Sequence, residues 1–227
     1  MPPPPERLFF MHIMKTAGTS FSVGLSRQFA DGEVAPPIGP DKADEYWTFD
    51  WLLDLPVEQR DAFRVVQGHF PLFLGELIDV DRTITILRDP VDRLISHIRH
   101  IIRRDQQHRW TSVEEFYEDE MRRRFVRNYQ LRQFSRAADD DPLDLDERHL
   151  ARAKERLDLV DVLGFTDRYD AFVRECNARF GWDLEVGDRH QVAPPTDDVD
   201  PTFRRRLEED NTLDRQFYEY ARKVRGG

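Results

Sequence analysis

The chain has 227 residues, 39% of them hydrophobic and 34% charged, with a formal net charge of −10. That length suits one domain, residues 1–227, with a sizeable core. The acidic balance excludes a general nucleic-acid binder, which needs a basic face, and weighs against a long polyanion as partner.

Residues 1–6 read as a flexible proline-rich tail. They lack the basic lead and apolar run of a signal peptide, and no later stretch reaches the length of a membrane span. With a single cysteine, Cys176, no internal disulfide can close. Both readings predict a cytoplasmic protein in a reducing compartment.

Residues 7–21, RLFFMHIMKTAGTSF, open on an apolar run that predicts a strand over 8–14. Lys15 and the small residues Thr16, Ala17, Gly18, Thr19 and Ser20 follow, and Phe21, Leu25 and Phe29 then keep the spacing of one helix face. A strand, a tight loop and a helix start make an anion cradle from backbone N–H groups, the helix dipole and the lysine charge. The GxxxxGK[ST] spacing of nucleotide triphosphatases is absent. Residues 31–44, rich in Pro, Gly and Asp, predict a loop, and the aromatic run Tyr46, Trp47, Phe49 and Trp51 suits a core.

The next strand is expected over 63–68, ending in Gly68-His69. Residues 83–87 predict another, followed by Arg88, then Asp89 as N-cap and Pro90 at the first helical position. Val91, Leu94, Ile95, Ile98, Ile101 and Ile102 share one side of that helix. Arg88 offers forked donors to a phosphate, and Ser96, eight residues on, a hydroxyl.

Ser112 and Glu115 form a capping box for a helix through Phe116, Met121 and Phe125, continuing towards the polar run 128–133, NYQLRQ. Asp146 caps a further helix, a strand is expected over 160–165, and a helix follows to Gly181. Residues 190–201 read as extended and acidic, and 201–224 as one amphipathic helix. Strands alternating with helices predict an α/β, P-loop-like three-layer fold: a central parallel sheet with helices on both faces. Ligands in such sheets bind beyond the carboxyl ends of the strands, where Lys15, His69 and Arg88 all fall.

The pair HIMKTAGTSF and ILRDPVDRLISH resembles the two cofactor motifs of sulfotransferases that use 3′-phosphoadenosine 5′-phosphosulfate (PAPS), in the branch of heparan sulfate 2-O-sulfotransferase and its bacterial relatives. Met14 stands where that family usually carries proline. The resemblance implies that residues Lys15, Thr16, Ala17, Gly18, Thr19 and Ser20 hold the 5′-phosphosulfate. It assigns Arg88 and Ser96 to the 3′-phosphate, and implies no metal. It also implies that His69, in a Gly-His pair like the family's, is the catalytic base. An imidazole with an ordinary pKa near 6.5 suits deprotonation of an acceptor hydroxyl.

The expected activity is in-line transfer of a sulfuryl group to a hydroxyl on a carbohydrate or small alcohol, leaving adenosine 3′,5′-bisphosphate (PAP). Alternatives are a P-loop kinase for a small metabolite and a non-catalytic nucleotide-binding module. A base other than His69 would be sought among Glu33, Asp79 and His12.

Overall fold

The computed structural model describes residues 7–36, 48–140, 142–187 and 199–226. In chain order, β1 (Leu8–Met11), α1 (Gly18–Ser26), β2 (Val34–Ala35), α2 (Asp50–Leu53), α3 (Val57–Asp61), β3 (Val65–Gly68), α4 (Phe73–Leu77) and β4 (Arg82–Leu87) come first. Next are α5 (Pro90–Arg104), α6 (Val113–Glu118), α7 (Glu120–Val126), α8 (Tyr129–Ser135) and α9 (Glu147–Arg156). β5 (Val162–Phe165), α10 (Tyr169–Phe180), α11 (Pro201–Asp210) and α12 (Thr212–Arg225) close the sequence of elements. The described residues fall into two compact units, one within Met1–Ile86 and Asp158–Gln191, the other within Leu87–Leu157 and Val192–Gly227.

The first unit is built on the parallel sheet, in the order β2-β3-β1-β4-β5. Leu8 pairs with Val65 on one side and Arg82 on the other, and Met11 with Gly68 and Thr85. Alternation along β1 sends Leu8 and Phe10 to one face, where they join Val65, Ile84, Ile86 and Val162. Phe21 and Leu25 of α1 and Phe172, Val173 and Cys176 of α10 cover that face. Phe9 points the other way, against Gly75 of α4, where an added Cβ would lie 3.0 Å from the Phe9 ring. Helices thus cover both faces. Phe49 sets its ring edge-on to Phe70 and Phe73, the core role expected of the aromatic run. Tyr46 and Trp47 lie outside the described residues.

Two predicted outlines change in this unit. The strand expected over 8–14 ends at Met11, where the chain turns and Ile13 N–H donates to the Met11 carbonyl. The loop expected over 31–44 contains β2, which pairs with β3 through Val34 and Val65. Two residues are too short for a periodic signal, and the rest of that loop from 37 onwards is outside the described residues.

In the second unit, Asp89 caps α5 as expected, accepting from Val91 and Asp92 N–H, with Pro90 in the first turn. Val91, Leu94, Ile95 and Ile98 are buried in a cluster with Val113, Phe116, Tyr117, Phe203 and Leu207. The single helix expected from 112 onwards is three. Asp119 adopts extended backbone and turns its carboxylate to cap α7, while Arg127 is extended and Asn128 is left-handed. The breaks leave Met121 and Phe125 exposed on α7, and only Phe116 of the expected apolar stripe is buried.

The C-terminal helix is likewise two, α11 and α12, parted at Asn211. Asn211 is fully buried and bonds both the Leu207 carbonyl and Asn128 N–H. Asp200, read as part of an acidic loop, is the N-cap of α11 ahead of Pro201, whereas Asp197 and Asp198 lie outside the described residues.

Candidate active site

In the first unit the predicted site gathers around the turn between β1 and α1. Thr16 is buried, and its hydroxyl donates to the Ile13 carbonyl at 2.8 Å. Its own carbonyl accepts from the Thr166 hydroxyl at 3.2 Å. The Thr16 side chain therefore closes the turn and is spent on the protein. Lys15 and Ala17 both have positive φ, 70° and 68°, an uncommon conformation for residues with a Cβ. Ala17 is the N-cap of α1, carries no capping oxygen, and no acidic residue stands in the helix's first turn. Of the residues 16–20, only Thr19 has an exposed side chain. The start of α1 presents donors and the positive end of a helix dipole, with no carboxylate of its own helix to neutralise them.

His12 and His69 meet because β1 and β3 are neighbours in register. His12 N–H donates to the Gly68 carbonyl at 2.9 Å, placing His69 beside it with ring centroids 4.4 Å apart. His69 Nδ1 lies 2.6 Å from the His12 carbonyl oxygen. A carbonyl only accepts, so Nδ1 carries the proton and Nε2 keeps its lone pair. Burial pulls the His69 pKa below 6.5; the bond to the His12 carbonyl opposes this and the Lys15 charge adds to it. His12 is pushed down further, first by burial and then by His69 and Lys15. Both imidazoles are therefore neutral near neutral pH.

The His12 ring also sits on the start of α1. A Cβ at Gly18 would fall 2.1 Å from His12 Cδ2, so only glycine admits this approach. His12, His69, Lys15 and the α1 start thus form one assembly of a lysine cation, two neutral imidazoles and a helix start whose N-cap residue supplies no side-chain cap. Such a set can receive an anion and accept a proton.

The other candidates for a base do not join it. Glu33 precedes β2 and is engaged with Ala30 N–H and, at 3.9 Å, Arg64. Asp79 sits in the turn before β4, with φ 53°. Both occupy the amino-terminal edge of the parallel sheet, opposite His12 and His69, because each precedes its strand and the histidines follow theirs.

Arg88 and Ser96 belong to the second unit. Arg88 directly follows β4, and Ser96 is buried on α5. Burial lowers the Arg88 pKa, against the pull of Asp92 and Asp89. A partner that sequence reading left unassigned within NYQLRQ is Gln130. Its Oε1 accepts from Arg88 N–H at 3.0 Å and its Nε2 donates to the Arg88 carbonyl at 2.9 Å. Gln130 is itself fully buried, and Asp214 of α12 accepts from Leu131 N–H at 2.7 Å and Gln130 N–H at 3.4 Å. Beside it, Arg93 is fully buried over the Tyr129 ring at 4.8 Å, donating to the Val126 carbonyl. Burial takes its pKa down to about 10, with Asp214 the main opposing influence. A spacing of 42 residues hides the Gln130–Arg88 pairing from any local pattern.

Among the described residues no group of three or more His, Cys, Asp or Glu is placed to hold a metal ion, and no helix is long and apolar enough to cross a membrane. Cys176 is buried, and burial pushes its thiol pKa up, the state of an inert thiol.

No protein-family model and no curated protein sequence matches the chain. Solved structures do. A sulfotransferase from Alicyclobacillus acidocaldarius superposes with a TM-score of 0.55 at 18% identity, covering 93% of each chain. Mouse sulfotransferase SULT7A1, solved in complex with PAP, superposes with a TM-score of 0.51 at 12% identity, covering 95% of this chain and 89% of the other. The chain therefore has the fold of these sulfotransferases.

Proposed function

We propose that this protein transfers a sulfuryl group from PAPS to a hydroxyl of a carbohydrate or small alcohol. The observation that carries the reading is the unsealed start of α1, flanked by Lys15 and by a His69 whose Nδ1 is committed to the His12 carbonyl. The donor set suits a 5′-phosphosulfate: one lysine, helix N–H groups and the Thr19 hydroxyl, with no acid in the first turn of α1. Arg88 and Ser96 are the groups assigned to the 3′-phosphate. The fold shared with a sulfotransferase solved with PAP supports the same assignment.

The donor supplies an electrophilic sulfur and a bisphosphate leaving group. His69 Nε2 takes the proton from the acceptor hydroxyl as its oxygen bonds to sulfur. The bond from sulfur to the bridging oxygen breaks, and the leaving electron pair stays on that oxygen. Lys15 and the N–H groups at the start of α1 stabilise the charge developing there. The neutral state of His69 matters, since a protonated imidazole could not accept.

The test is thermal stabilisation by PAP, AMP and ATP, each with and without magnesium. Ligands that bind the native state raise its melting temperature by mass action. A magnesium-independent shift for PAP well above that for AMP is expected, followed by sulfuryl transfer from PAPS in an acceptor screen. A shift confined to ATP with magnesium would turn the reading to a kinase, and no shift from any nucleotide would overturn it.

A further inference from the structure

We infer that Gln130 is a positioning residue that sets selectivity for the 3′-phosphate, by clamping the peptide groups of Arg88. This rests on the reading that Arg88 binds that phosphate.

The geometry is unusual for a glutamine. One carboxamide satisfies both the N–H and the C=O of a single residue, at 3.0 and 2.9 Å, as a neighbouring strand would. Arg88 is the first residue beyond β4, where ladder pairing has ended and Asp89 is already committed to capping α5. Its peptide groups need partners, and a buried unpaired peptide group costs about as much as a lost hydrogen bond. Gln130 supplies both bonds through one carboxamide. The Arg88 backbone is thereby held in place where its side chain departs.

The clamp is in turn held from behind. Asp214 fixes the backbone of Gln130 and Leu131, and Asn128 returns a bond to Asp214 N–H at 3.0 Å. Arg93 and Arg132 stack over Tyr129, the residue before Gln130, at 4.8 and 5.3 Å. A glutamine anchored this firmly defines the direction from which Arg88 leaves the backbone. A forked guanidinium–phosphate contact is sensitive to that direction.

Affinities of wild type, Gln130→Met, Arg88→Met and the double variant for PAP and for AMP, measured by calorimetry, test the inference. AMP lacks the 3′-phosphate, so the PAP-to-AMP ratio isolates that contact. Gln130→Met is expected to weaken PAP binding about tenfold, with AMP affinity within about twofold of wild type. In the Arg88→Met background the same change should leave the ratio where Arg88→Met alone puts it, because the two residues act on one contact. An equal loss for both ligands, or no loss, overturns the inference and makes Gln130 an ordinary packing residue. Should Gln130→Met fail to fold, Gln130→Asn is read instead; its shorter amide reaches only one of the two peptide groups. A wild-type protein that binds PAP and AMP alike would remove the underlying reading, and this inference with it.

Discussion

Two helix starts in this molecule are finished in opposite ways. α5 is sealed by its own sequence: Asp89 accepts from two first-turn N–H groups, Pro90 follows, and Asp92 adds a second acid. α1 begins on Ala17, in a left-handed conformation, with no side-chain cap and no acid in its first turn. A capping residue typically adds about 1 kcal/mol. A helix start left without one is therefore informative when a lysine and two neutral imidazoles stand beside it. For the proposed bisphosphate nucleotide, the two starts suggest two different ways of meeting a phosphate. On the proposed reading, the 5′ anion would be met at α1 by backbone and dipole, and the 3′-phosphate would fall to side chains, Arg88 and Ser96, since α5 has closed its own N-terminus.

The largest effects should come from the chemistry at the unsealed start. His69→Ala should lower kcat by about 10³-fold, the usual range for losing a general base. Lys15→Ala should cost about 10²-fold or more through lost stabilisation of the leaving oxygen. Steady-state sulfuryl transfer measures both, and near wild-type turnover in either variant would refute its role. Sealing α1 artificially comes next. Thr19→Glu puts an acid in the exposed first turn, and should weaken PAP binding at least about tenfold. The same change should leave the ligand-free melting temperature unchanged or slightly higher, through the dipole.

Ser96→Ala should weaken PAP binding roughly fivefold with little change in kcat, as expected for one hydrogen bond. The mirror experiment, Asp89→Ala, should reduce stability by about 1 kcal/mol. That corresponds to a drop of roughly 2–4 °C in melting temperature for a chain of this size. If Asp89→Ala instead left stability untouched while Thr19→Glu spared PAP binding, the contrast between the two helix starts would collapse.

The smallest effects are in pH. With the His69 pKa below 6.5, kcat/KM should rise with pH on an acid limb whose midpoint lies under that value. A midpoint at or above 6.5 would reassign the base. The same two histidines bind protons more weakly folded than unfolded. The unfolded state therefore takes up more protons just below pH 6.5, so stability should fall as pH drops through that region. His12→Gln should flatten this slope, whatever its effect on absolute stability.

Much of this architecture was legible in the chain. The strand start at Leu8, the Asp89-Pro90 start and the Gly181 terminus each carry a local signal, and all three stand where those signals put them. The failures share one cause. Asp119 and Asn211 interrupt helices because their side chains bond backbone groups, and for Asn211 one partner is 83 residues away. Periodicity sees apolar spacing and passes over such breaks. The residues proposed for the site could be named from the chain, but the bonds among them could not. The His12–His69 bond needs β1 beside β3, and the Gln130–Arg88 clamp needs a helix that sequence reading had merged with two others.

The left-handed Ala17 has a consequence for how the loop resists motion. Relieving its positive φ with Ala17→Gly would remove strain of about 1 kcal/mol. It would also return to the unfolded chain freedom of about 0.4–1 kcal/mol. These nearly cancel, so the melting temperature is a poor reporter of this position. What the methyl group governs is stiffness: an alanine forced into this conformation has few others to visit, whereas glycine would let the turn wander. Alanine here is a rigid joint obtained at almost no net thermodynamic cost, and its value would be read in dissociation rates and hydrogen exchange.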